Sequence, residues 1–401
     1  MKKKILAAVL AAMVLFVGCG AEEIPSSIEP IQPKPIESQT KDTSEDQVSE
    51  DTKVTESTEE VKVADEATIT KREVVDGKMQ SYLTGEWKDE EVVKRRSMAV
   101  MMPNNKPAMP QYGITRASIV YEAPVEGRVT RLLCFVEDYD DMEYIGPVRS
   151  ARDYFVYESM AYDAIYCNWG LAIPFVEHLL KGDRVDNISQ AVKGIHNPAA
   201  EAYDRISRPG YATEFTGYLF IDGYEKAVKR LKYKTKYEDR DHFVQAFTFA
   251  NDGHQAEYKN EKKATLIYPG GTTSNRSGYG DAKPYFEYNE KDGLYYRYQY
   301  GGKHIDEMNG EQVAVSNIVF KVCHGEVREP SNLDYLAFGV HGEGDAYIFT
   351  AGKVIKGTWE RKDDYSPNMF YDEDGNEIIF NQGKTWICNI WDEYEDCIIY
   401  E

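Results

Sequence analysis

Between Ile119 and Arg152 the chain reads IVYEAPVEGRVTRLLCFVEDYDDMEYIGPVRSAR, which embeds Glu122, Glu126, Arg128, Arg131, Arg149 and Arg152 among apolar runs. Runs as short as 118–121 and 132–136 suit buried strands. Charges carried on such strands must converge on one another or on a ligand, because an isolated charge is excluded from a core. The stretch closes on Gly146-Pro147-Val148-Arg149-Ser150-Ala151-Arg152-Asp153. Gly-Pro imposes a turn, Ser150 can cap a helix, and Asp153 stands three residues on, as in a capping box. A helix is therefore predicted over 150–161. Arg149 and Arg152 then flank its first N–H groups, an arrangement that suits a phosphate or carboxylate. The competing expectation is that these arginines pair with Glu122, Glu126 or Asp163 and only fix the domain. Arg131, Ser150 and Asn168 belong to the same candidate polar network.

The start of the chain sets where this fold works. Lys2, Lys3 and Lys4 precede an apolar run, 5–17, that is too short to cross a bilayer and ends at Phe16-Val17-Gly18-Cys19. Residues 1–19 read as a lipoprotein signal peptide whose lipobox carries Phe16 in place of the usual leucine. Cys19 is then the site of lipid attachment, palmitate included, and holds the protein on the outer face of the cytoplasmic membrane. Residues 20–67 follow as an acidic tether. From Ala21 to Glu66 there are 14 acidic residues against 4 lysines and no aromatic residue. Such a composition is predicted to be disordered and extended by its own charge. It supplies about half of the formal net charge of −21 and argues against nucleic acid as a partner.

Residues 68–94 form a transitional arm whose Tyr82-Leu83-Thr84-Gly85-Glu86-Trp87 has the aromatic content of ordered structure. Residues 95–241 mix buried-strand runs (98–102, 118–121, 132–136 and 164–167) with helical spacing at 150–161, 174–181 and 223–231, an α/β pattern. Residues 242–401 change to short aromatic and β-branched segments divided by Asp-Gly turns. Examples are 294–300 after Asn289-Glu290-Lys291-Asp292-Gly293, and 368–371 against 377–380 across Asp372-Glu373-Asp374-Gly375-Asn376. The predicted fold class is α+β overall, an N-terminal α/β domain followed by a mainly antiparallel β domain.

Taken together, the 98–102 strand with Asn104 and Pro107, Pro110-Gln111-Tyr112-Gly113, Ile119-Val120-Tyr121-Glu122, Glu126-Gly127, Thr130-Arg131 and the IGPVRSAR block resemble the YerB-like bacterial lipoproteins. Gly357-Thr358-Trp359, Asp374-Gly375 and Gly383-Lys384-Thr385-Trp386 resemble that family's C-terminal part. The resemblance implies a two-domain envelope lipoprotein of a Gram-positive bacterium, in a family described by domain and not by activity, so it brings no catalytic residues. Where it implies a His-x-Gly sequence after strand 164–167, this chain has Asn168-Trp169-Gly170.

Other constellations carry less chemistry. Glu122 and Glu126, with Asp163, are candidate carboxylates for hydrolysis of a wall glycan or peptide, although Pro124 between the first two imposes a bend. Cys167 with His178 or His196 has no local support as a nucleophile and base. Cys134 and Cys167 read as small buried hydrophobes. Cys388 and Cys397 flank a hairpin-like segment where a disulfide could form. The histidine spacing offers no zinc site, and no cofactor motif is present. Residues 270–278, rich in Gly and Ser, read as a mobile loop. Of the 30 tyrosines, those at 285, 288, 295, 296, 298 and 300 could present aromatic faces to sugars or a protein, or pack inward. The sequence therefore points to a non-enzymatic envelope lipoprotein that binds or scaffolds, recognising an anionic wall group or a wall-synthesis protein. The alternative is a cell-wall hydrolase using Glu122, Glu126 or Asp163.

Overall fold

The computed structural model describes residues 67–190, 200–241, 243–258, 261–328 and 333–401. Cys19, the lipobox, the tether up to residue 66 and His196 lie outside them. The described residues are mostly sheet with few helices. In chain order the elements that matter here are β1 (Met98–Pro103), β2 (Ile119–Val125), β3 (Val129–Val136), α1 (Asp153–Met160), β4 (Ile165–Trp169), α2 (Ile173–Lys181), β5 (Asn187–Gln190) and α3 (Ile221–Leu231). They continue with β6 (Tyr285–Asn289), β7 (Leu294–Gln299), β8 (Asn317–Cys323), β9 (Gly342–Thr350), β10 (Lys353–Arg361) and β11 (Thr385–Trp391).

One eleven-stranded sheet runs through both halves of the chain, with β10-β9-β8-β11-β2-β3-β1-β4-β5 as its main path. The junction is β11. It lies parallel to β8 on one side and to β2 on the other, with Cys388 opposite Glu122. The α/β and β textures expected on either side of residue 241 thus share one sheet.

Pleating explains why the apolar runs are continuous. On β1, Ala99 and Met101 enter one core while Met98, Val100 and Met102 enter the other. A strand buried on both faces has no need of alternation. Helices α1 and α2 cover the first face through Phe155, Val156, Val176 and Leu179. Helix α3 and a second, six-stranded sheet containing β6 and β7 cover the other, through Tyr224, Ala227, Phe286 and Tyr295. Each fully buried Leu, Ile or Phe contributes about 1.5–3 kcal/mol.

The two faces close over a buried ion pair. Glu122 on β2 and Arg297 on β7 are both fully buried, with Arg297 Nη2 at 3.0 and 2.9 Å from the two carboxylate oxygens. Glu122 also accepts hydrogen bonds from Asn104 Nδ2 (2.8 Å), Thr130 Oγ1 (2.7 Å) and Trp386 Nε1 (2.9 Å). Arg297 stacks over Trp386 with its guanidinium carbon 4.5 Å from the ring centroid, and Nη1 meets His304 Nδ1 at 2.8 Å. Burial, and then the Arg297 charge, push His304 well below its usual 6.5. A neutral ring accepting at Nδ1 and donating from Nε2 to Gln111 Oε1 (2.8 Å) satisfies both contacts.

Several expectations change on contact with the structure. Cys388 and Cys397 are both free thiols. Cys388 is buried on β11, while Cys397 ends a 3₁₀ segment, so the two do not face each other across a hairpin. Residues 270–278 are tied down instead of loose. Asn275 Nδ2 donates to Gly270 O at 2.6 Å, Ser277 and Gly278 are buried, and Arg128 clamps the loop through Asn275 O and Asp281. The strand after Asp372–Asn376 meets its expected partner at a single bridge, Tyr371 to Glu377, because Ile379–Phe380 pairs in parallel with Thr248–Phe249.

Arg297→Met leaves Glu122 charged and unpaired, and is expected to lower stability in urea unfolding by about 3–5 kcal/mol; adding Glu122→Gln recovers most of the loss. His304 also imposes a pH dependence. Its folded pKa lies below its unfolded 6.5, so between the two the unfolded chain binds more protons. The stabilisation is complete above about pH 6.5 and lost as the pH falls from there. Urea midpoints between pH 7 and 5 are expected to drop less in His304→Gln than in the parent.

Candidate functional site

Strands β1 and β4 run parallel, with Met98 opposite Ile165 and Val100 opposite Cys167. Beyond those pairs they splay, and the IGPVRSAR block enters the gap. Arg149 N donates to Met101 O (2.9 Å) and Trp169 N donates to Arg149 O (3.1 Å), so one residue bridges both strands. One step further, Ala151 N donates to Gly170 O at 2.9 Å. The block is a wedge at the carboxyl ends of β1 and β4, the end of a parallel sheet where side chains from several connections meet.

The wedge moves the start of the helix. Ser150 does not cap it: the helix begins at Asp153, with extended Arg152 as its N-cap and no side-chain cap. Ser150 and Ala151 are held extended by the strand ends, and only after Arg152 does the chain clear the sheet and close its first turn, Val156 N to Arg152 O (3.2 Å). Asp153 pairs with Arg328 at 2.5 Å. Gly170, at φ +86°, packs so closely that an added Cβ would stand 2.6 Å from Ser150 Oγ. Asn168 is buried and holds this turn, donating to Gly170 O (2.7 Å) and accepting from Ser189 Oγ (2.7 Å).

The arginines of the wedge differ in their partners. Arg152 binds Glu126 through Nε at 3.0 and 3.1 Å and through Nη2, and lies over the Tyr335 ring. Burial works to raise the Glu126 carboxyl, and the Arg152 hydrogen bonds and charge overcome it to hold it below the usual range. Arg149 pairs with Glu214 at 2.7 Å. Arg131, half-buried at the start of β3, donates from Nη1 to Ser150 O (2.6 Å) and makes no ion pair among the described residues. Burial, then the charges of Arg152 and Arg149, pull it down to about 9, where it is still charged at neutral pH.

The remaining predicted residues lie elsewhere. Asp163 precedes β4, at the opposite end of the strand from the wedge, between Arg96 (3.0 Å) and Arg240 (2.6 Å). Glu122 is sealed against Arg297. The three carboxylates offered for hydrolysis therefore sit in three separate networks. Burial pushes the Cys167 thiol upward, as it does Cys134. Tyr285 and Tyr298 stack on each other at 4.6 Å and 1°, with Tyr268 next in line at 5.3 Å, so their faces are largely covered by one another and not held out to a sugar. Arg297, Arg96, Arg240 and Glu214 were missed. Arg297 left a signal, since in Tyr295-Tyr296-Arg297-Tyr298-Gln299 it shares the inward parity of buried Tyr295 and Gln299.

Residues 83–230 match the N-terminal domain, and residues 275–387 the C-terminal domain, of "Protein of unknown function (DUF3048)". The "Putative lipoprotein YerB" of Bacillus subtilis is 28% identical over 312 residues, covering 77% of this chain and 86% of that protein. The chain belongs to the YerB-like family. The crystal structure of YerB from Bacillus subtilis superposes with a TM-score of 0.63 at 24% identity, over 80% of this chain and 99% of that one, a likeness of fold. Within this YerB-like chain the IGPVRSAR block carries the wedge just described. No helix among the described residues is long and apolar enough to cross a membrane.

Gly170→Ala forces both a left-handed backbone on a non-glycine residue and a clash with Ser150. It is expected to lower stability by about 1–3 kcal/mol, read from urea unfolding.

Proposed function

We propose that the protein is a lipid-anchored, extracytoplasmic binding or scaffolding protein of the Gram-positive cell envelope. In this reading Cys19 carries the lipid, the acidic segment 20–67 spaces the body from the membrane, and the wedge receives an anionic group, carboxylate or phosphate, of a wall polymer or an envelope protein. The relative's description as a lipoprotein supports the anchoring.

The observation that carries the site is Arg131. Its two arginine neighbours each have a carboxylate, Arg152 with Glu126 and Arg149 with Glu214. Among the described residues Arg131 bonds a backbone carbonyl alone, and the two arginine charges beside it outweigh the favourable charge of Glu126. An arriving anion relieves that repulsion and takes the guanidinium's remaining N–H groups, which form strong charge-assisted bonds. Arg149, Ser150 and Arg152 shape the rim, while Asn168 holds the turn beneath it. Of the three carboxylates named for hydrolysis none is free, since Glu122, Glu126 and Asp163 are each engaged by arginine.

The test is titration of the full chain with inorganic phosphate and with teichoic-acid polymer. Arg131→Gln is expected to weaken binding at least about ten-fold, the loss of one hydrogen bond to a charged group, with the thermal midpoint unchanged. Equal binding by the parent, Arg131→Gln and Arg149→Ala sinks the proposal.

A further inference from the structure

A groove on another part of the body has a different chemistry. Its central depression, about 540 Å³, is lined by Glu86, Thr115, Tyr296, Gln312, Ser316 and Lys384 among others. It shares Leu294 and Ser316 with a second depression of about 410 Å³ that includes Asp252, His254 and Gln382. It shares Tyr296 and Gln312 with a third, of about 320 Å³, beside Glu287 and Lys303. Three contiguous depressions suit an elongated ligand better than a compact one.

The lining is weighted towards acceptors and acids, with Glu86, Glu311, Asp252, Asp292 and Glu287 against Lys303 and Lys384. Gln312 spends its amide donor on Arg297 O (2.9 Å), and Gln382 spends its own on Ala250 O (3.1 Å) and Asp252 (2.9 Å). The oxygens of both amides accept nothing among the described residues. The exposed Glu86 carboxylate accepts no side-chain hydrogen bond among the described residues, though it lies within the field of the Lys384 charge. Lys384 Nζ, the main donor, is turned onto Thr115 O. The groove therefore offers acceptors and negative charge, which repels a polyanion and favours a ligand rich in O–H and N–H donors.

It also offers an aromatic ring. Tyr296 is fixed by its hydroxyl to Asp292 (2.8 Å), is partly buried, and unlike Tyr285 and Tyr298 stacks on no other described ring. Its ring lines the depression beside apolar Leu294, Ala314 and Val315, a combination that matches the apolar face of a pyranose. The walls are built firmly. Gly383 N donates to Thr84 O (2.7 Å), Ser316 N donates to Lys384 O (2.9 Å), and a Cβ on Gly383 would lie 2.0 Å from Ser316 Oγ. Pockets of this volume with a few placed polar groups are where ligands bind.

We infer that this groove binds a neutral or amine-bearing glycan chain, with Tyr296 under a sugar ring and Gln312, Gln382 and Glu86 accepting from its hydroxyl or amino groups. The site is independent of Arg131 and of the anionic ligand proposed for the wedge.

Calorimetric titration of the detergent-solubilised full chain with a chitin tetrasaccharide, its de-N-acetylated form and a cellulose tetrasaccharide tests this. Saturable binding of at least one is expected, weakened at least ten-fold by Tyr296→Ala and also reduced by Glu86→Gln, an exposed position with no side-chain bond to lose. Arg131→Gln should leave it unchanged. Thermal melting of each variant checks that the fold is kept. No binding of any of the three at millimolar concentration overturns the inference. So does binding that survives both groove substitutions, or displacement of the bound glycan by inorganic polyphosphate.

Discussion

A carboxylate with no route to water can stay charged only if something equally buried neutralises it. Glu122 sits where β2 meets β11, beneath the second sheet, and the arginine that answers it comes from a hairpin some 170 positions later. Pairs of this kind add little net stability compared with apolar side chains of the same size, yet breaking one is costly. We read the pair as a selector of register. The second sheet can settle on the first only where Arg297 reaches Glu122, Trp386 offers its indole N–H and His304 is neutral. A second fully buried cluster, Glu158 with Lys321 (2.9 Å) and Arg361 (3.3 Å), does the same on the opposite face, tying α1 to β8 and β10.

The wedge follows from the same demand for partners. Splayed strand ends expose backbone groups, and the cheapest remedy is another stretch of backbone, here Arg149 to Ala151. Inserting it gathers three arginines around two carboxylates. Local neutrality is then incomplete, and the remainder falls on Arg131. The groove near Tyr296 has the reverse character, acceptor-rich and acidic. In the scaffolding reading proposed above, these two unlike surfaces hold two unlike components.

Much of this was legible in the residues. Continuous apolar runs gave β1 to β4, helical spacing gave α2 and α3 within two residues, and Asp292-Gly293 marked the β6–β7 turn. The wedge residues were legible as a group, and Glu126 was among the partners expected for Arg152, but Glu214 and Arg328 are distant in sequence and look like ordinary surface charges. Ser150 misled for a physical reason: capping signals are local, whereas the hydrogen bonds that straighten 149–151 come from strands. The insertion of β11 between β8 and β2 left no local trace either, since parallel pairing carries no turn signal.

That insertion has a kinetic consequence. The central strand of the large sheet is also one of the last to be synthesised, so β2 and β8 must remain without a shared neighbour until residues 385–391 arrive. Contacts so distant in sequence fold slowly and leave strand edges open in the interval. For a chain that emerges N-terminus first, β1 to β5 are made well before the sheet can close. Joining of the two halves of the sheet thus waits for the last strand, and a C-terminal truncation that removes it leaves β2 and β8 unjoined.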